Sequence, residues 1–311
     1  MQDQPEPVMT RINLHAHPKS QRRARAPTRL ARRVILSTLW LLFGLLALRP
    51  AWAADTSPLV LGIFPNITVK QIVETYRPLA NALEKTLRRR VEIYSAPNFK
   101  SFVDRTHQGE YDLLLTAPHF AWLARQNAGY RPLLKYTEPV RGLLVVKSSS
   151  YSRDVATLRG HTIAIPDPLA VVVLALQAEL AEEGLKPAID YQIINAGTHI
   201  NAVLQVIKGR ADAAMVGQSP YTLFPPELRK QLHVLLETPP LSSLTYLTHP
   251  RVSEAEALII RNTLLRFAAT PEGQVFLKKG GFGGFAPLNS DELNAFRPYA
   301  LQTQKMLQDS Q

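Results

Sequence analysis

From Pro58 onward, short apolar runs alternate with amphipathic stretches. Leu59–Phe64 (Leu-Val-Leu-Gly-Ile-Phe) predicts a strand, ended by Pro65-Asn66. Ile72, Tyr76, Leu79, Leu83 and Leu87 then recur at helical spacing. Val91–Ala96 predicts a second strand, followed by a helix through Phe99, Phe102 and Val103. Gly109 punctuates the turn before Asp112–Ala117, a run apolar enough for a fully buried strand. Pro118–Gly129 predicts a helix, and Pro132–Tyr136 and Leu143–Lys147 are extended.

The same order then starts again. Thr162–Pro166 predicts a strand, Leu169–Glu183 a helix, Tyr191–Ala196 a strand, and Ile200–Lys208 a helix. Ala211–Val216 is a strand, Gln218–Phe224 a short helix, and His233–Glu237 another extended segment before the breaker Pro239-Pro240. Ser253–Ala269 and Ser290–Leu307 predict helices, separated by Gly280-Gly-Phe-Gly-Gly284, which reads as a mobile surface turn. Leu169–Leu180 is apolar nearly all round, the pattern of a helix buried in a core. Two βαβαβ series predict an α/β protein of two lobes, with helix starts gathered at the carboxyl ends of the strands, where open α/β sheets bind ligands.

The segment before Pro58 has a different character. Residues 1–33 are polar and basic, Val34–Leu48 is apolar, and Ala51-Trp52-Ala53 is a small-x-small cleavage signal. This order predicts a secretory signal peptide over residues 1–53, with a long basic lead. Arg32-Arg33 also permits twin-arginine export. A retained anchor fits less well, since a spanning helix needs about 20 apolar residues. Residues 1–53 hold nine of the 36 Lys/Arg and two of the 25 Asp/Glu, leaving 27 basic and 23 acidic residues. The exported chain therefore carries a formal +4 rather than +11, which removes the main argument for a nucleic-acid partner. The remaining basic cluster, Lys85–Arg90, reads as a solvated helix end. Cysteine is absent, so a core rather than disulfides must hold this chain in an oxidising compartment, and the roughly 258 remaining residues suffice for one. A periplasmic location follows.

Catalytic patterns are weak. The histidines show no metal-ligand spacing, no Gly-x-Ser-x-Gly elbow is present, and the 280–284 glycines lack the Lys-Ser/Thr of a phosphate loop. No cofactor, metal or enzymatic activity is expected. What remains are the strand-to-helix junctions, where free backbone N–H groups bind anions. They supply Asn66 and Thr68; Phe99; Pro118 and His119; Ala170 and Val171; Thr198 and His199; and Gln218 and Tyr221. Ordinary helix capping competes as an explanation at Thr68, Asn98 and Thr198.

Several of these segments together resemble the periplasmic phosphate/phosphite/phosphonate-binding receptors of ABC transporters. Leu61-Gly-Ile-Phe-Pro65, Tyr76-Arg-Pro-Leu-Ala80, Asn98-Phe-Lys-Ser-Phe102, Gly109-Glu-Tyr-Asp-Leu113, Thr116-Ala-Pro118 with Ala128-Gly-Tyr130, and Ala196-Gly-Thr-His199 through Ala211-Asp-Ala-Ala214 carry the likeness. The resemblance implies a type II periplasmic-binding-protein fold with two crossings near Glu138–Leu144 and Pro239–Leu247. Residues 58–140 with 245–311 would form one lobe, and 141–244 the other. It also implies closure over a small anionic ligand, phosphonate or phosphate-like, and delivery to an inner-membrane permease. A sensor kinase is the alternative partner for the same fold. His199 matches a ligand-contacting histidine of the family. Phe99 keeps the aromatic face of its counterpart but not the hydroxyl. Leu169-Ala170-Val171 stands where the family has a Ser/Thr-rich turn, which points toward a less anionic or partly apolar ligand.

Overall fold

The computed structural model describes residues 57–150 and 154–309; the expected signal peptide, residues 1–53, lies outside them. In chain order the elements are β1 (Leu59–Ile63), α1 (Val69–Leu87), β2 (Val91–Tyr94), α2 (Phe99–His107), β3 (Leu113–Thr116), α3 (Pro118–Ala128) and β4 (Arg131–Tyr136). Then come β5 (Gly142–Lys147), β6 (Thr162–Ile165), α4 (Val171–Glu182), β7 (Gln192–Asn195), α5 (His199–Ile207), β8 (Ala213–Gly217), α6 (Gln218–Thr222), α7 (Pro226–Arg229) and β9 (Leu232–Glu237). The chain closes with β10 (Thr245–Thr248), α8 (Glu254–Ala268), α9 (Pro271–Gly280), β11 (Phe285–Pro287), α10 (Ser290–Asn294) and α11 (Arg297–Gln308).

Two sheets result. One has the order β11-β4-β10-β3-β1-β2 and the other β7-β6-β8-β5-β9. In each, three parallel strands receive one antiparallel strand from across the molecule, β10 beside β3 and β5 beside β8. The chain passes between sheets twice, after β4 and after β9, and the two passing segments hydrogen-bond to each other through Val140 and Leu241. This is the two-sheet α/β architecture of type II periplasmic binding proteins. All parallel strands of a sheet point the same way, so the helix starts that follow them collect on one edge.

Local chemistry sets the boundaries. Thr68 accepts from Gln71 N–H while the Gln71 side chain accepts from Thr68 N–H, a complete capping box that starts α1. Ile72, Tyr76, Leu79 and Leu83 are its buried stripe, as the spacing predicts. α4 begins at Val171, two residues later than its apolar pattern predicts, because Pro166-Asp167-Pro168 holds Leu169 and Ala170 in a turn. Its seven residues from Val171 to Leu176 and Leu180 are buried on all sides.

Three expectations need correction. Arg89 is not a solvated helix end: it pairs with Glu256 of α8 at 3.0 Å and donates to the carbonyl of Ser57. Ser290–Leu307 is two helices, broken at Ala295-Phe296 before Pro298. Gly280–Gly284 is packed and hydrogen-bonded, with Phe282 stacked on Tyr136 at 4.1 Å between ring centroids. Thr137 and Glu138 N–H donate to the carbonyls of Gly284 and Phe282. Gly281 and Gly283 supply positive φ there, and a Cβ on Gly280 would meet the Phe282 ring at 2.0 Å.

Candidate functional site

The helix starts of both halves surround one cavity of about 310 Å³. Its walls are mainly apolar, and among the described lining residues formal charges sit only on Glu74 and Lys279. Three helices reach it without a side-chain cap: α3 through Ala117, α4 through Ala170, and α6 through Gly217. Three others are capped by their own chains: α1 by Thr68, α2 by Asn98, and α5 by Thr198. None of those three capping residues lines the cavity. The first N–H groups of a helix have no intrahelical acceptor, so an uncapped start leaves them for whatever occupies the space in front.

Seven of the eleven candidate residues line this cavity: Asn66, Phe99, Pro118, His119, Ala170, Val171 and His199. Thr68 and Thr198 instead line a neighbouring groove that Asn66 and His199 also border. Gln218 lies in a separate hollow with Ser219 and Thr222, its N–H bonded to the Arg141 carbonyl at 2.8 Å. Tyr221 borders none of these three spaces and packs edge-on against Phe224. Further lining residues carried no clear sequence signal. Tyr76 belongs to the buried stripe of α1, Ser242 and Ser243 to the second crossing, and Phe282 to the glycine-rich turn. The signal that could have located the site was an absence: Ala117-Pro118, Ala170-Val171 and Gly217-Gln218 begin helices where a Ser, Thr, Asn or Asp cap is missing.

Two histidines are among the lining residues. His199 follows the Thr198 cap and is buried, and its Nδ1 accepts the Gly217 N–H at 3.2 Å, leaving the hydrogen on Nε2. His119 is fully buried, with Nε2 at 2.9 Å from the Leu169 carbonyl. Burial pushes both rings down to about 4, so both are neutral at neutral pH. Phe99 packs between Phe64 and Phe120, at 5.6 and 5.7 Å between centroids, and closes the apolar side.

The turn before α4 reaches across the cleft. Asp167 Oδ1 accepts from Leu169 N–H at 2.8 Å. Burial raises the Asp167 pKa, while the N–H groups of Leu169 and of Phe99, in the other half, act against that rise. Together with the His119–Leu169 bond, this ties the β6–α4 turn to the helix starts of the first sheet. Phe64, Phe99 and Phe120 share one apolar cluster with Leu169, Ala170 and Val171.

Residues 61–293 match the family model described as "ABC transporter, phosphonate, periplasmic substrate-binding protein". The chain belongs to this family of periplasmic substrate-binding proteins. Solved structures agree on the fold. The PhnD1 protein of Prochlorococcus marinus, solved with methylphosphonate, is 13% identical with a TM-score of 0.74, covering 81% of this chain and 100% of its own. A binding-protein component of an ABC phosphonate transporter from Pseudomonas aeruginosa is 17% identical with a TM-score of 0.72, covering 80% and 87%. XAC2383 of Xanthomonas citri, solved with ATP, is 22% identical with a TM-score of 0.65, covering 81% and 98%. The family is one of non-catalytic receptors for ABC transporters, and it favours that reading over a sensor-kinase input. Among the described residues no helix is long and apolar enough to cross a membrane, and no cluster of His, Cys, Asp or Glu could hold a metal ion.

Proposed function

We propose that this chain captures a small phosphonate-type oxyanion in the cavity between its two sheets and presents it to an inner-membrane ABC permease. Residues 58–140 with 245–311 act as one lobe and 141–244 as the other, hinged at the two crossings and exported by the leader at 1–53. The uncapped starts of α3 and α4, two helices of ordinary length meeting at one cavity, carry this reading. Their N–H groups and dipoles favour negative charge, and Lys279 is the one cationic side chain among the described lining residues. His199 adds a side-chain donor through Nε2. The apolar Ala170-Val171 wall and Phe99 accommodate the carbon substituent of the ligand, in place of the hydroxyls of a Ser/Thr-rich turn.

Binding that favours the folded state stabilises it by about 2.7 kcal/mol at a ligand concentration a hundred times Kd. A thermal-shift series on residues 54–311 with alkylphosphonates, phosphite, phosphate and small carboxylates should therefore show the largest rise for an alkylphosphonate. No shift with any oxyanion would refute capture at this site. His199→Ala removes one donor to an anion and should weaken the best ligand roughly tenfold to a hundredfold in calorimetric titration. Unchanged affinity would remove His199 from the site.

A further inference from the structure

An oxyanion head group fills only part of this cavity. At about 30 Å³ per water in the liquid, the space of about 310 Å³ corresponds to roughly ten waters. Methylphosphonate brings only about half that number of non-hydrogen atoms and leaves the rest of the space to water. Pockets of roughly 300–1,000 Å³ take organic ligands of drug size rather than bare anions. Little in these walls would hold the remaining water. Phe and Tyr rings from two separate apolar clusters border the cavity, Phe64, Phe99 and Phe120 from one and Tyr76 and Phe282 from the other. Among the buried lining residues, polar side-chain atoms come only from His119, His199, Ser243 and Tyr76. Glu74 and Lys279, which carry the formal charges, are both exposed.

Water in an apolar space lacks hydrogen-bond partners, and an apolar group that displaces it gains affinity. We propose that the solute is a phosphonate-type oxyanion carrying a bulky apolar substituent, an aryl ring or its equivalent of about six carbons. This assignment rests on the capture of an oxyanion at the uncapped helix starts and adds what the head group carries. Phe282 is the residue that selects the substituent. It lies on the glycine-rich turn rather than at a helix start, and it is half-buried where it lines the cavity. One face of its ring stacks on Tyr136, with centroids 4.1 Å apart and planes 6° from parallel. Gly281 and Gly283 supply the positive φ that shapes this turn. A ring fixed in this way loses little freedom when a ligand packs on it.

Methyl-, propyl-, hexyl- and phenylphosphonate share one head group and form a direct test by calorimetric titration of the exported chain. Each added methylene should tighten binding roughly threefold to fourfold, and phenylphosphonate should bind at least about a hundredfold more tightly than methylphosphonate. Phe282→Ala removes a ring from the wall and should cut the phenyl-over-methyl preference at least about tenfold. Phe282→Leu keeps most of the apolar bulk and should cut it about threefold. A cooperative thermal transition shows that each variant folds, and the leucine variant decides if the alanine one does not. Methylphosphonate binding as tightly as phenylphosphonate, or more tightly, overturns the bulky substituent while leaving the receptor reading intact. An unchanged preference in the folded Phe282 variants overturns the role of Phe282. Binding of no phosphonate in the series overturns the receptor reading and this assignment with it.

Discussion

The two halves follow one plan and finish it differently. Each runs strand, helix, strand, helix, strand, helix; the second junctions supply Phe99 and His199 to the cavity lining, and the third supply His119 and Ser219. At the first junction the halves part. α1 begins with a capping box in which Thr68 and Gln71 satisfy each other, whereas α4 begins at Ala170 with nothing from its own side chains. Only the second arrangement brings its cap residue to the cavity wall. A helix start that satisfies its own N–H groups is finished as structure; one that does not is available to a solute. Polarity of sequence thus points away from this site rather than toward it.

The comparison can be broken first with pH. Each half buries one neutral imidazole, His119 in the first and His199 in the second, and burial holds both at about 4 against an ordinary 6.5. The unfolded chain therefore binds more protons than the folded one between those values. Stability is fully present above 6.5 and is lost as pH falls from there toward 4. Going from pH 7 to pH 5 should cost on the order of 2 kcal/mol per histidine, read from urea unfolding. Asp167, raised by burial, works in the opposite direction and offsets part of that loss. If only one ring contributes, replacing His119 or His199 in turn will show which half carries the dependence.

Next in size is an exchange of roles between the helix starts. Ala170→Asp gives α4 the cap that it lacks and places a tethered carboxylate where the ligand's anion would sit. Oxyanion affinity should fall by at least about a hundredfold by titration, while stability stays within about 1 kcal/mol of wild type, since a new cap offsets the burial of its charge. Stability lost together with affinity would mean that the wall at Ala170 serves packing alone. The smallest effect is the converse change. Thr68→Ala removes one capping box and should lower stability by about 1 kcal/mol in urea with ligand affinity unchanged. A drop in affinity would show that α1 also serves the ligand.

Much of this scaffold was legible because its elements obey one dominant force each. β1 and β3 are short apolar runs with no alternative but burial, and the Ile72-Tyr76-Leu79-Leu83 stripe has only one helical face to bury. His199 was visible as a polar residue just after a strand and a cap. Other features depend on partners distant in sequence. α9 was missed because the stretch between the Ser253–Ala269 helix and the 280–284 glycines shows no clear pattern, yet its glycines are required by contact: a Cβ on Gly273 would meet the Phe267 carbonyl at 1.7 Å. Arg89 could not be separated from its basic neighbours until Glu256 came beside it. Likewise, the tautomer of His119 is set by a carbonyl 50 residues away, which no local pattern reports.

In the hinged receptor proposed above, that bond would also govern timing. It joins the two halves, and under the hinge closure proposed above each opening would break it and expose a ring nitrogen and a carbonyl to incoming water. Only the opened fraction can admit a solute, so the observed association rate scales with that fraction rather than with diffusion alone. Departure has to break the same pair of atoms. A receptor that closed in this way would load and empty slowly, and the lifetime of its cargo would depend partly on a contact that the cargo never touches.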